Sequence, residues 1–236
     1  MSRFETTRWS LVLQARDDDA QSRRALEALC RAYRSPVLAY VRSRGTTPEE
    51  AEDLTQSFFA RFIERDFHAQ ADPARGRFRA FLLTSLQRFL NDAHDQRIAV
   101  KRGGKIQLRS LDRPGSDSLD NLQSADSPER AFDRAWAQAV IQSAMRKLRR
   151  EAKAAGKVEL FNRLWEFVAE RPDDAEYARV ASELNLRRNT LAVAVHRLRN
   201  RLRELVRDEL AETATDEDHL DRELDDLRHC LEDVLQ

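Results

Sequence analysis

Between residues 187 and 207 the run RRNTLAVAVHRLRNRLRELVR carries seven arginines against one glutamate. Guanidinium groups at this density do one kind of chemistry well: they meet phosphates and release the counterions condensed on a duplex. Leu191, Val195, Leu198 and Leu202 recur at helical spacing, which turns Arg188, Arg199 and Arg203 outward. The preceding stretch, YARVASELNL, reads as a shorter helix with Val180, Ala181 and Leu184 inside. Asn185 then stands where a tight turn wants a residue that tolerates the left-handed region, and Leu186 tucks back toward the core. Two helices joined by a short turn, the second longer and rich in arginine, make a helix-turn-helix. The turn fixes the angle at which the second helix enters a major groove, so that arginines meet phosphates and polar residues near its start meet base edges. Arg187, Arg188, Asn189, Thr190, Arg197, Arg199 and Arg203 are the expected DNA contacts. The plainer alternative is a helical hairpin with a wet arginine face, and the charge imbalance argues against it.

A second basic block lies at 75–109, with nine basic residues against Asp92 and Asp95. Arg75, Arg77, Arg79, Arg88, Arg97, Lys101, Arg102 and Lys105 flank a phenylalanine-rich helix. Basic residues interleaved with aromatics suit single-stranded nucleic acid. The phenylalanine spacing is core spacing, however, so Phe81 and Phe89 go inside and only the cations speak for a nucleic-acid surface. Asn91, Asp92 and Gln96, near the end of that helix, either read base edges or cap its last turns. Acid collects at the other end: 208–236 holds twelve acidic residues against Arg222 and Arg228. The formal net charge of +0 is therefore a cancellation of two basic blocks and an acidic tail.

Other chemistries find no footing. CxxC, HExxH, GxxxxGK[ST] and GxGxxG patterns do not occur, and the five histidines fall at no ligand spacing with a cysteine or one another. No metal, no cofactor and no enzymatic activity are expected. Cys30 and Cys230, both in apolar helical surroundings, fit a reducing compartment without a structural disulfide. The N-terminal residues lack a signal-peptide pattern, and no apolar run reaches 18 residues. A soluble cytoplasmic protein without a membrane partner is expected.

The elements that position these residues read as helix throughout. The spacing predicts a helix over 22–42, bent or interrupted at Pro36. Thr47 as N-cap, Pro48 at the first position and Glu50 three residues after the cap start a second at 48–65. Its stripe is Ala51, Leu54, Phe58, Phe59, Phe62 and Ile63, leaving Thr55, Gln56 and Ser57 as a polar shoulder. A third helix begins near Phe78. Residues 103–128 are poor in apolar residues and carry Gly103-Gly104 and Pro114-Gly115, the composition of a flexible linker. Helices are predicted at 129–154, 157–170, 174–184 and 188–210. The fold class is all-α: two helical domains joined by a flexible linker, the second a helix-turn-helix domain. The domains are 1–102, the linker 103–128, 129–210, and an acidic amphipathic helix at 211–236. Leu220, Leu224, Leu227, Leu231 and Val234 stripe that last helix. It either covers the basic helix 188–207 as a DNA mimic or extends the core of the second domain.

Four blocks in series carry a resemblance: RALEALCRAYRSPVLAYVRSRG, AEDLTQSFFARFIERD, FRAFLLTSLQRFLNDAHDQR and VASELNLRRNTLAVAVHRLRNRLREL. Over roughly 20–207 the chain resembles the small extracytoplasmic-function sigma factors of bacterial RNA polymerase, in the sigma-70 superfamily. The resemblance implies a first domain that binds the clamp of the core polymerase and opens the −10 promoter element. It implies a second that reads the −35 element as duplex. Carried over by position, Glu52, Asp53 and Gln56 fall on the clamp-binding helix. Asn91, Asp92, Arg97, Lys101 and Arg102 fall where the −10 strand is held, and Thr190 with the exposed residues of 188–199 on the recognition helix. Three departures stand out. Ser57 replaces the family's usual acid and Thr55 a plain aliphatic residue, Ala192 and Val193 leave the recognition helix bare, and the acidic tail is extra. Arg187, Arg188 and Asn189 then take over −35 contacts. Thr55, or failing it Ser57, is the expected phosphorylation site of a Ser/Thr kinase that restores the missing charge. A helical adaptor that docks on polymerase, or a stand-alone helix-turn-helix regulator, is the alternative function.

Overall fold

The structure, a computed structural model, describes residues 20–64, 78–101, 127–169 and 173–232. Nine helices and no strand occur among the described residues: α1 (Ala20–Ser43), α2 (Pro48–Glu64), α3 (Phe78–Lys101), α4 (Pro128–Ala154), α5 (Val158–Leu164), α6 (Glu166–Ala169), α7 (Asp174–Glu183), α8 (Arg188–Ala211) and α9 (Glu217–Glu232). The all-α expectation holds, as does the pairing of a first helical region with a second that contains a helix-turn-helix. Pro36 lies inside α1 and does not interrupt it. The residues expected to form a linker lie outside the described ones, apart from Ser127 and Pro128 at their C-terminal end.

By packing, the described residues form two units, one made of those up to Ala139 together with those from Glu212 onward, the other of those within Val140–Ala211. The division thus falls within α4 rather than before it. The acidic C-terminal helix α9 belongs to the first unit, where Leu220, Glu223 and Leu227 are buried.

In the first unit α1 stops at Gly45, whose φ of 80° supplies the left-handed turn, and Thr46 donates its hydroxyl to the Val41 carbonyl at 2.9 Å. Thr47 then caps α2, its Oγ1 accepting from the Glu50 amide at 3.2 Å. The core joins Leu29, Tyr33 and Val37 of α1 to Phe58 and Phe62 of α2, Phe78 and Leu82 of α3, Phe132 of α4 and Leu220 of α9. Rings continue through it: Tyr33 meets Phe78 edge-on at 5.0 Å, and Phe62 meets Phe58 at 5.6 Å.

One cation sits among these rings. Arg79, in the first turn of α3, donates through Nη1 to Asp133 at 2.7 Å and through Nη2 to Asp226, with Glu223 at 3.6 Å from Nε. Its Cζ lies 4.1 Å from the centroid of the Trp136 ring. Burial works against its charge, yet Glu223, Asp133 and Asp226 outweigh that and hold the guanidinium above its usual range. Two of those carboxylates come from α9, so the acidic tail is anchored here. Residue type alone groups Arg79 with the nucleic-acid cations; buried at 9% exposure, it is instead the counter-charge of the tail.

In the second unit Leu164, Phe167, Val180, Ala181, Leu191 and Val195 form one core cluster, with Tyr177 stacked on Phe167 at 5.6 Å. Asp173 caps α7 by accepting from the Glu176 amide at 2.7 Å. The second half of α4 is tied to α8 by polar bridges. Ser143 and Lys147 both reach Glu209 Oε1, at 2.9 and 2.6 Å, and Arg201 grips Glu151.

Candidate nucleic-acid interface

The turn between α7 and α8 is closed by backbone. Asn185 has a φ of 51°, its amide donates to the Ser182 carbonyl at 3.1 Å, and the Leu186 amide reaches back to Ala181 at 2.8 Å. This pair of bonds is a Schellman motif, with Leu186 brought over Ala181. α8 then starts at Arg188 with no acidic residue in its first turn, and Leu191 and Val195 seat it on the core. Arg187, Arg188, Asn189, Thr190, Ala192, Val193, His196 and Arg197 are all exposed. Five of the seven expected duplex contacts are therefore exposed between 187 and 197.

The remaining arginines of the run divide. Arg203 is exposed and donates to Asn200 Oδ1 at 2.8 Å. Arg199 is half-buried and donates to the backbone carbonyl of Phe167, which makes it an anchor between α8 and α6 as much as a surface cation. Arg201 is committed inside the unit: it forks onto Glu151 at 3.0 and 2.8 Å and reaches Glu204 at 2.7 Å. Those hydrogen bonds hold Glu151 below the usual carboxylate range, the Arg201 bond being the largest cause.

On the first unit, the candidate polymerase-facing side is the outer surface of α2. Asp53, Gln56 and Ser57 are exposed there. Glu52 is half-buried and already held by α1, through Arg34 at 2.5 Å and Arg42 at 3.4 Å. Thr55 is not part of the shoulder. It is 1% exposed, and its Oγ1 has no hydrogen-bond partner among the described residues. The reason is rotational: Ala51, Thr55, Phe58 and Phe62 form the buried stripe, at spacings of four, three and four, which leaves Ile63 37% exposed. Thr55 is closed to a kinase in this state, and of the two hydroxyls only Ser57 is open.

Toward the end of α3, Asn91, Asp92 and Arg97 are exposed. Asp92 pairs with Arg61 at 3.5 Å, and Arg97 with Glu50. Asn91 therefore offers its amide beside two bridged charges. Lys101 ends the helix and its side chain is outside the described residues, as is the whole of Arg102. Phe81 and Phe89 are half-buried, Phe89 lying 5.6 Å from Phe58 with Arg61 above it at 5.9 Å. Among the described residues no group of three or more histidine, cysteine or acidic side chains is arranged to hold a metal ion, and no helix is long and apolar enough to cross a membrane.

Sequence reasoning missed one structural pair, Arg79 with Glu223. The available signal was position: Arg79 sits between Phe78 and Leu82 on the apolar side of α3, and Glu223 between Leu220 and Leu227 on that of α9.

Residues 29–97, which span α1 from Leu29 through α3 to Arg97, match the family model described as Sigma-70 region 2. Over that segment the chain is similar to a sigma-70 region 2 domain. No curated protein and no solved structure matches the chain.

Proposed function

We propose that this chain is a sigma factor of the extracytoplasmic-function type, which brings bacterial RNA polymerase to specific promoters. The observation that carries the reading is a region 2-like segment at 29–97 in one chain with a helix-turn-helix whose second helix exposes Arg188, Arg197 and Arg203. In this reading Asp53 and Gln56 on α2 face the clamp of the core enzyme, with Glu52 steadied from behind by Arg34 and Arg42. An acidic face suits a basic partner because complementary charge steers encounter and penalises wrong partners. Asn91, Asp92 and Arg97 attend the −10 strand. Arg187 to Thr190, Arg197 and Arg203 attend the −35 duplex, with phosphate contacts setting register and the residues between them reading bases. Lys101 and Arg102 extend the first of these surfaces by sequence position. A Ser/Thr kinase acts at Ser57, where a phosphate adds charge and acceptor oxygens beside Asp53 without disturbing the core.

The test is promoter-dependent transcription. Core polymerase is supplied with the purified chain, phosphorylated or not, and genomic fragments as template. The expected result is transcripts that start at a small set of defined sites. Binding to core without any defined start supports a helical adaptor instead, and duplex binding with no effect on core supports a stand-alone regulator.

A further inference from the structure

Val193 is 48% exposed and is the one large apolar side chain left open among the described residues of the second unit. A lone exposed valine needs no explanation on an ordinary surface. The position of this one sets it apart. It is the sixth residue of α8, in the second turn of the helix that follows the helix-turn-helix turn. Asn189, Val193 and Arg197 lie four apart and are all exposed, so they form a line along the helix pointing away from the Leu191–Val195 side that is buried. Thr190 and Ala192, also exposed, flank that line.

In a major groove each base pair shows a distinct edge, and thymine alone adds a C5-methyl to the hydrogen-bonding groups. An amide or a guanidinium gains little from that methyl. An isopropyl group gains from burying it. We infer that Val193, with Ala192 beside it, reads a thymine through its C5-methyl, while Arg187 and Arg197 at either end hold the phosphates. The contact rests on the reading of the second unit as a duplex-binding module, and it makes the element read by α8 dependent on a thymine where a hydrogen-bonding side chain would select another base. It also explains the apolar run LAVAV: its inner residues seat the helix, and its outer ones supply an apolar surface among flanking polar groups.

The test removes the methyl from each partner in turn. Duplexes preferred by the full chain, alone and together with core polymerase, are recovered from a random pool. Each thymine of the recovered element is then replaced by deoxyuridine, which lacks the methyl and keeps the hydrogen-bonding edge. At one thymine the replacement should weaken the wild-type chain about fourfold, the value of one methyl taken out of water. Val193→Ala should bind the original element more weakly, bind a random duplex as the wild type does, and be indifferent to deoxyuridine at that position. Equal sensitivity of both proteins at every thymine overturns the inference and leaves the duplex-binding reading intact. Recovery of no element in either format overturns both.

Discussion

At Arg79 one guanidinium answers three carboxylates and an indole, and the balance among them decides how firmly the first unit is held. Asp133 and Asp226 keep 39% and 38% of their side chains in water, so loss of the cation leaves them partly solvated. Glu223 has no such relief at 1% exposure. It stands 3.6 Å from the guanidinium Nε, an ion-pair distance too long for a good hydrogen bond, so charge and not directional bonding couples them. The same carboxylate, after burial itself, helps push the Tyr33 hydroxyl above its ordinary range. Arg79→Met is therefore expected to cost about 3–5 kcal/mol in urea unfolding, the usual consequence of removing one partner from a buried ion pair. Adding Glu223→Leu should recover most of it, because a well-packed apolar pair avoids desolvating two ions. A loss under about 1 kcal/mol for the single variant would mean that water reaches Glu223 freely, as at an exposed pair.

Among the elements, the placement of helix α9 sets what the tail does. Its buried face of Leu220, Glu223 and Leu227 closes the first unit, and the residues just before it, Thr213 and Ala214, are buried too. Ending the chain after Ala211 removes all of these and takes two carboxylates from Arg79. The expected outcome is a lower melting temperature, with no gain in duplex affinity; each buried leucine alone contributes roughly 1.5–3 kcal/mol. An unchanged melt together with tighter, more salt-sensitive duplex binding would restore the idea of a tail that masks α8. Sequence announces this helix but not its destination. An amphipathic stripe says that a face will be buried and leaves open against what. Ends are more legible than faces: Thr47, Gly45 and Asn185 mark caps and turns through local backbone chemistry, and the structure uses each as expected. Thr55 and Arg79 mislead for the opposite reason. Their residue types suggest a surface, whereas their positions on the helix put them inside.

Across the whole molecule the formal charge sums to +0, so any attraction to DNA is local and has to come from cations that are not already committed. That condition separates arginines four residues apart on α8. Arg197 is exposed on the line that includes Val193, whereas Arg201 is already forked between Glu151 and Glu204. A cation that meets a phosphate releases condensed counterions and contributes to the slope of log K against log salt. One that keeps its carboxylates releases none. Arg197→Ala should therefore weaken duplex binding similarly on every sequence and reduce the salt slope by about 1. Arg201→Ala should leave the slope unchanged and lower stability by at most about 1 kcal/mol, the usual range for a pair that remains half in water. Titrating fluorescently labelled duplex against the wild type and both variants over a range of salt concentrations distinguishes the two roles. If Arg201→Ala flattens the slope as much as Arg197→Ala does, then binding breaks the fork on Glu151. The DNA-facing surface would then extend to the side of α8 that is tied to α4 in the free protein.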